Sequence, residues 1–348
     1  MRRESRRVRA LVFCAGRGER LRPLTGALAK PLLPVAGRAV AMRTIEILHR
    51  AGCETAVNLH HLSESVRQGL MSEAVARGID LTFALERDLL GTLGAVVNLR
   101  DFLAGGDDIV LVNGDSLCRW PLRELLGRHR RSGADVTLQI GPGAPDEGLG
   151  GGLEVDHRGL VLGLRDLRVG AVRGRSRTFQ GLHVLSRRVL DAVPSPATSN
   201  DIVEGLYQPL LRAGSRIVGF GCRRRWHDLG TPRRYLDGAL DWGRTAGGSR
   251  RRRRFIAPGV KVGSGAAVEH SVVENGCRLG AGSLAERSLL MPGARIGEGA
   301  LVHGTIVAPG VQVPPGLEVH GQLVTPADWG RTGDRRSEER DGLVYTAL

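Results

Sequence analysis

The chain has 348 residues and 41% hydrophobic content, enough for two domains with buried cores. Its formal net charge of +14 invites a nucleic-acid reading, but the excess is arginine spread along the chain, and only 4% of residues are aromatic. That leaves few platforms for stacking bases, so no nucleic-acid partner is expected. Five cysteines, none in a Cys-x-x-Cys pair, argue against a disulfide frame or a zinc site and for a reducing, cytoplasmic location. The apolar run behind the N-terminal arginines is too short for a signal peptide, and no segment reaches membrane length.

In chain order, Val8, Leu11, Val12 and Phe13 read as a first buried strand. Ala15-Gly16-Arg17-Gly18 follows as a turn whose backbone N–H groups can approach an anion closely. Lys30 lies further on, and only it and Lys261 are lysines among 50 basic residues. A lysine in so arginine-rich a chain points to a need for a compact ammonium. Two familiar phosphate loops do not fit. Pro31 follows Lys30 where a Walker A loop needs Ser or Thr, and Leu21 stands where the dinucleotide fingerprint needs its third glycine.

Arg43–Ala51 and Ser63–Arg77 read as helices, with Ser63 as an N-cap and Gly52 and Gly78 as stops. Ala56–Leu59, Leu81–Leu85, Ile109–Val112 and Val136–Ile140 read as short buried strands. Such alternation predicts an α/β, Rossmann-like and mostly parallel sheet with ligands at the carboxyl ends of its strands. The glycine-rich stretch Gly141–Gly152 breaks the pattern and leads into a more antiparallel part. Asp115 follows a strand in Val112-Asn113-Gly114-Asp115-Ser116, where a carboxylate can hold Mg²⁺ or simply occupy a turn. The expected first domain spans 1–242 and a polar, arginine-rich linker 243–254.

Beyond the linker the chain repeats itself. Val262, Leu279, Ile296 and Val313 are each 17 apart, and Gly259, Gly276, Gly293 and Gly310 keep the same step. Stacked coils of this kind bury their apolar ladder only against one another, so an end cap or a partner subunit is expected. The pattern resembles the hexapeptide repeat of left-handed parallel β-helices. It is placed at 255–322, with a polar C-terminal tail over 323–348 and a homo-oligomer formed through the coils.

The stretch Phe13–Val35, FCAGRGERLRPLTGALAKPLLPV, resembles the signature of the sugar-nucleotide nucleotidylyltransferases, with Cys14 at a position usually held by Ala. Trp226-His227-Asp228-Leu229-Gly230-Thr231-Pro232 resembles the same family's second metal motif. The resemblance implies transfer of a nucleotidyl group from a nucleoside triphosphate to a sugar 1-phosphate, with Arg20 and Lys30 neutralising phosphate charge. It further implies Ala15, Gly16 and Gly18 at the nucleotide, and Asp115 with Asp228 on Mg²⁺. Leu90-Gly91-Thr92-Leu93-Gly94-Ala95 resembles the loop that meets nucleotide and sugar, which brings in Gly91 and Thr92, with Glu86 upstream as an acceptor for the base edge. Gly114, Gly151 and Gly181 match glycines that let the sugar phosphate lie close.

One departure concerns the sugar. Where many members carry Glu-Lys-Pro, this chain reads Arg165-Asp166-Leu167-Arg168, so Asp166 would be the acceptor and Arg165, Arg168 or Arg173 the cation. His60 and His61 match an Asn-Leu-His-His segment of some members and are read as structural. The β-helix arrangement resembles that of guanylyl- and adenylyl-transferring members, and that resemblance implies guanylyl transfer to mannose 1-phosphate as the first expectation. Uridylyl, thymidylyl or adenylyl transfer to another sugar, and a non-catalytic scaffold of the same plan, are the alternatives. Acyl transfer on the coils with His270 or His303 as base is a further one.

Overall fold

The computed structural model describes residues 6–142, 152–170, 174–246, 254–330 and 335–348. Gly151, Arg173 and most of the Arg250–Arg254 run lie outside the described residues. The chain divides into two units, one made of Met1–Gly16 and Ala41–Trp226, the other of Arg17–Val40 and His227–Leu348. The signature loop from Arg17 onward is therefore grouped with the C-terminal repeats.

The first unit is built on a ten-stranded sheet. In chain order its strands are β1 (Val8–Phe13), β2 (Cys53–Leu59), β3 (Leu81–Leu85) and β4 (Asp108–Asn113). After the short β5 (Ser116–Cys118), outside this sheet, come β6 (Val136–Pro142), β7 (Leu153–Val155), β8 (Val161–Leu164), β9 (Leu167–Arg168), β10 (Arg175–Ser186) and β11 (Ile217–Gly221). The order β3-β2-β1-β4 is parallel throughout. The chain leaves β1 on one side for β2 and β3 and returns on its other side as β4. That is a topological switch point, where an open sheet leaves a crevice beyond its strand ends. β10 then runs antiparallel to β4 and β6, while β11 pairs with β6 in parallel.

Four of the five apolar runs expected to be buried strands are buried because both faces are covered; the fifth, Leu81–Leu85, is a strand but lies at the sheet edge with Leu85 66% exposed. Leu11, Ala56, Leu111, Val136 and Leu138 are all fully buried and share one core with Leu93, Leu103 and Tyr207. The helices fall at Val40–Arg50 and Ser63–Val75. Ser63 is the first helical residue; Leu62 stands at the N-cap position in a left-handed conformation, with no side-chain cap bond.

In the second unit the 17-residue step is the register of three parallel sheets. Phe255 pairs with Val272, Lys261 with Arg278 and Ala267 with Leu284, and the same offset repeats through the coils. Inward Leu279, Ile296 and Val313 stack on one sheet and Val268, Ala285, Val302 and Val319 on another. These parallel ladders are the arrangement expected of a left-handed β-helix.

Two segments differ from expectation. Helix Pro232–Ala246 continues through the start of the expected linker, because its apolar face lies against Phe255–Ile256, Val272–Val273 and Leu289–Leu290. The stretch after 323 is no free tail. Leu343–Ala347 pairs antiparallel with Gln322–Pro326 and with Ser337–Arg340, burying Val344 and Tyr345 and extending one sheet past the last coil.

Candidate active site

Where β1, β2, β3 and β4 end, the first unit ties its loops together through one buried amide. Asn58, near the end of β2, accepts from the backbone N–H of Cys14 at 2.9 Å and donates to Glu86 Oε1 at 2.8 Å. Glu86 Oε2 in turn accepts from the backbone N–H of Leu90 at 3.2 Å. The start of the glycine turn and the start of the Leu-Gly-Thr loop are thus joined by a hydrogen-bonded chain. Glu86 is 3% exposed, so this carboxylate is a buried tie between two loops rather than a solvated acid. His60 Nδ1 sits 3.2 Å from the Glu86 carbonyl, a structural position.

Gly91 opens a helix spanning Gly91–Asn98 with φ +72°, and a Cβ on it would fall 2.1 Å from the Asn200 carbonyl oxygen. Both the backbone angle and the space admit only glycine. Thr92 Oγ1 accepts from the Ile202 N–H at 2.9 Å, closing the same contact. At the end of β4, the Gly114 N–H donates to the Phe13 carbonyl at 3.0 Å. A Cβ there would lie 2.5 Å from Cys14 Sγ, so the close approach of these two strand ends requires a glycine. Burial, and then the neighbouring Asp115 carboxylate, push the Cys14 thiol up, leaving it a packing group. Gly181 sits in β10 at the bulge between Phe179 and His183, beside Asn113.

The replacements expected for the missing lysine are already engaged. Arg165 pairs with Asp201 at 2.7 Å, and Arg168 pairs closely with Glu154. Asp166 accepts from Gln208 Nε2 at 3.0 Å, and that bond holds its carboxyl below the usual range.

The second unit gathers cations around Asp228. Arg234 Nη1 lies 3.2 Å, Lys30 Nζ 3.8 Å and Arg20 Nη2 3.9 Å from its carboxylate. Lys30 is 8% exposed and held at the head of a one-turn helix, Lys30–Leu32, whereas the Arg20 side chain is mostly open to solvent. Buried Leu21, Leu24, Leu33 and Val35 anchor the loop carrying both. Thr25 Oγ1 donates to the Gly18 carbonyl at 2.7 Å, and Tyr235 Oη to the Pro34 carbonyl at 2.7 Å. From the coils, Glu274 Oε2 accepts from the Gly37 N–H at 2.7 Å, and Arg335 Nη2 donates to the Arg20 carbonyl at 2.7 Å.

Sequence reasoning missed Asn58, Asn200 and Arg234. Asn58 had a signal, a lone amide inside the otherwise apolar run Ala56–Leu59, whereas Arg234 is one arginine among many. Among the described residues no group of three or more His, Cys, Asp or Glu side chains is placed to hold a metal ion. A single carboxylate, such as Asp115 of the first unit or Asp228 of the second, nevertheless has the right chemistry for Mg²⁺, which takes one or two carboxylates and completes its shell with phosphates and water.

Residues 9–244 match the family model described as Nucleotidyl transferase, and 247–327 match GlmU-like, C-terminal hexapeptide. The chain belongs to the nucleotidyl transferase family. The chain is 27% identical over 236 residues to mannose-1-phosphate guanylyltransferase catalytic subunit beta of Dictyostelium discoideum, covering 66% of this chain and 63% of that protein. It is 29% identical over 235 residues to mannose-1-phosphate guanylyltransferase of Mycobacterium tuberculosis, covering 67% and 64%. To mannose-1-phosphate guanyltransferase of Pichia angusta it is 30% identical over 236 residues, covering 66% and 63%. The match spans less than two thirds of each of these relatives. Members of the family generally use a divalent metal. Among the described residues, no helix is long and apolar enough to cross a membrane.

Proposed function

We propose that this protein moves a nucleotidyl group from a nucleoside triphosphate to a sugar 1-phosphate, releasing pyrophosphate, with GTP and mannose 1-phosphate as its substrates. The observation that carries the reading is the cluster of Lys30, Arg20 and Arg234 around Asp228 on the family's signature loop. The printed names of the relatives support the substrate pair.

A sugar phosphate oxygen forms a bond to the α-phosphorus as the bond to pyrophosphate breaks, so both reactants are polyanions. Catalysis then rests on alignment and charge neutralisation, with no covalent enzyme intermediate. Lys30 supplies a compact cation, Arg20 a reachable exposed one, and the N–H groups of Gly16 and Gly18 offer donors to phosphate oxygens. Gly91 and Thr92 present backbone to the nucleotide, with Asn58 and Glu86 holding that loop. Gly114, Gly181 and Asp166 are assigned to the sugar phosphate. Asp115 and Asp228 would hold Mg²⁺, which when bound supplies charge neutralisation at the phosphates. Five buried, unpaired cysteines support a cytoplasmic location.

The test is Mg²⁺-dependent pyrophosphate release over a grid of nucleoside triphosphates and sugar 1-phosphates. Turnover restricted to GTP with mannose 1-phosphate is the expected result, and preference for another pair reassigns base or sugar. The ion pairs already occupying Arg165 and Arg168 favour a second reading, a non-catalytic scaffold. Absence of turnover with every pair, in a folded preparation, would establish it.

A further inference from the structure

His270, Arg287, Gly304 and Gly321 hold the same place on successive coils, the corner before each strand of the sheet on which helix Pro232–Ala246 packs. All four have a left-handed backbone, with φ of 48°, 47°, 58° and 62°. Glycine adopts that conformation freely, as Gly304 and Gly321 do at the later corners. At the first two corners a Cβ makes the same turn costly. The repeat itself does not ask for His270 and Arg287, and strain of this kind persists at ligand clamps more than elsewhere.

Both side chains line a cavity of about 390 Å³, to which the helix contributes Asp237, Leu240, Asp241 and Arg244. That volume suits a small organic ligand. The helix residues lie three and four positions apart and so share one face. Asp241 is held by Arg244 Nη2 at 2.9 Å and His227 Nε2 at 3.1 Å, and Asp237 by Arg233 Nε at 3.2 Å. The carboxylates are thus anchored. In contrast, no ion pair or side-chain hydrogen bond among the described residues engages His270 or Arg287, and both are exposed.

The two sides of the cavity ask for different groups. A guanidinium fork beside an imidazole N–H suits phosphate oxygens, which accept from both. The ionised carboxylates of Asp237 and Asp241 only accept, so they repel a bare anion and take hydroxyl donors. Leu240, half-buried beside them, offers a surface to C–H groups. Apart from His270 no ring lines the cavity, which leaves a nucleobase without a stacking platform.

We propose that this cavity binds a sugar phosphate, with the phosphate on Arg287 and His270 and the sugar hydroxyls on Asp237 and Asp241. His227, held by Asp241, directly precedes Asp228, so the cavity and the Asp228 cluster share one short segment. Binding here is independent of the catalytic reading, because none of the lining residues belongs to the cations around Asp228 or to the strand-end loops. Absence of turnover would leave it standing, and its absence would leave the transfer reaction standing.

The probe is mannose 6-phosphate, which lacks the anomeric phosphate that the transfer reaction needs. Titration calorimetry on the full chain should find one site, with mannose and inorganic phosphate each bound more weakly. The variant His270→Gly/Arg287→Gly takes the residue the later corners use, so its melting temperature should not fall below the native one. Its affinity for mannose 6-phosphate should drop by about ten- to hundredfold, the scale of losing hydrogen bonds from a charged donor. Should that variant fail to fold, His270→Asn/Arg287→Asn decides, since asparagine tolerates a left-handed backbone.

Mannose 1-phosphate titrated in parallel separates two sources of the ligand. A second site for it on each native chain, lost in the glycine variant, makes the reaction's own sugar phosphate the occupant. A single site in both assigns the cavity to sugars phosphorylated at another position. No binding of mannose 6-phosphate, equal affinity for inorganic phosphate, or affinity retained in the variants would each overturn the proposal.

Discussion

Lys30 Nζ lies 3.8 Å from Asp228 Oδ1, which joins the lysine of the signature loop to the aspartate of the Trp226–Pro232 motif inside one unit. Asp228 also has Arg234 and Arg20 within reach, so removing Lys30 leaves no orphaned charge. Lys30→Ala should therefore fold with little change in melting temperature while turnover falls by about 10²–10³-fold, the scale of losing one preorganised charge at the reacting phosphate. Lys30→Arg should be nearly as poor, because a planar fork does not replace a compact ammonium. Steady-state pyrophosphate release and thermal melts of the same preparations check both. Near-native turnover in either variant would remove Lys30 from the chemistry.

Asn58 is the tie between the Cys14 amide and the Glu86 carboxylate. In Asn58→Ala a buried N–H and a buried carboxylate oxygen each lose a partner, at a cost of about 1–3 kcal/mol per group. Urea denaturation should show that loss. KM for the nucleotide should rise more than kcat falls, since the two loops lose their common anchor without losing a reacting group.

Gly91→Ala would place a methyl group 2.1 Å from the Asn200 carbonyl oxygen in a left-handed backbone. Strain of about 1–3 kcal/mol from the backbone angle alone adds to the clash. A melting temperature lowered by several degrees, together with weakened nucleotide binding in titration calorimetry, is the expected outcome. An unperturbed variant would mean that the Leu-Gly-Thr loop is held elsewhere.

Two buried histidines set the acid side of the stability profile. Burial pulls His129 down to about 4 and His183 down to about 3. Their ring nitrogens face hydroxyls, Thr137 and Ser186 for His129 and Tyr207 for His183. Unfolded imidazoles titrate near about 6.5. Below that value the unfolded chain takes up protons that the folded chain refuses, so stability is full above it and declines toward the folded values. The slope is about 1.4 kcal/mol per pH unit for each histidine, or about 2 kcal/mol apiece by pH 5. Urea midpoints between pH 7 and pH 5 measure it, and His129→Asn should remove about half the slope. A profile flat over that window would contradict the neutral, buried state of both rings.

Much of this architecture was legible in the amino-acid order because its signals are periodic or contiguous. The 17-residue step became the strand register, with Lys261 opposite Arg278 and Arg278 opposite Arg295. The apolar runs of β1 and β4 became neighbours at the switch point, with Asp115 just beyond β4. Other features depend on partners remote in sequence. Glu86 reads as an acceptor for the base edge, and only the fold shows Asn58 and the Leu90 N–H engaging its two carboxylate oxygens. The last strands were hidden by composition, because Ser337–Arg340 is polar throughout and only its pairing with Leu343–Ala347 makes it a strand. Arg165 and Arg168 look available in sequence, and the carboxylates that occupy them lie elsewhere in the chain.

The carbonyl of Arg20 and the amide of Gly37 are gripped by Arg335 and Glu274, residues from the far end of the polypeptide. A protein truncated after Ala246 would retain every letter of the signature yet forfeit two of the points that hold it. Chimeras that exchange only the C-terminal solenoid between relatives would consequently import a foreign grip on the very segment that carries Lys30. The workable seam for such grafts is one that moves Arg17–Val40 together with His227–Leu348.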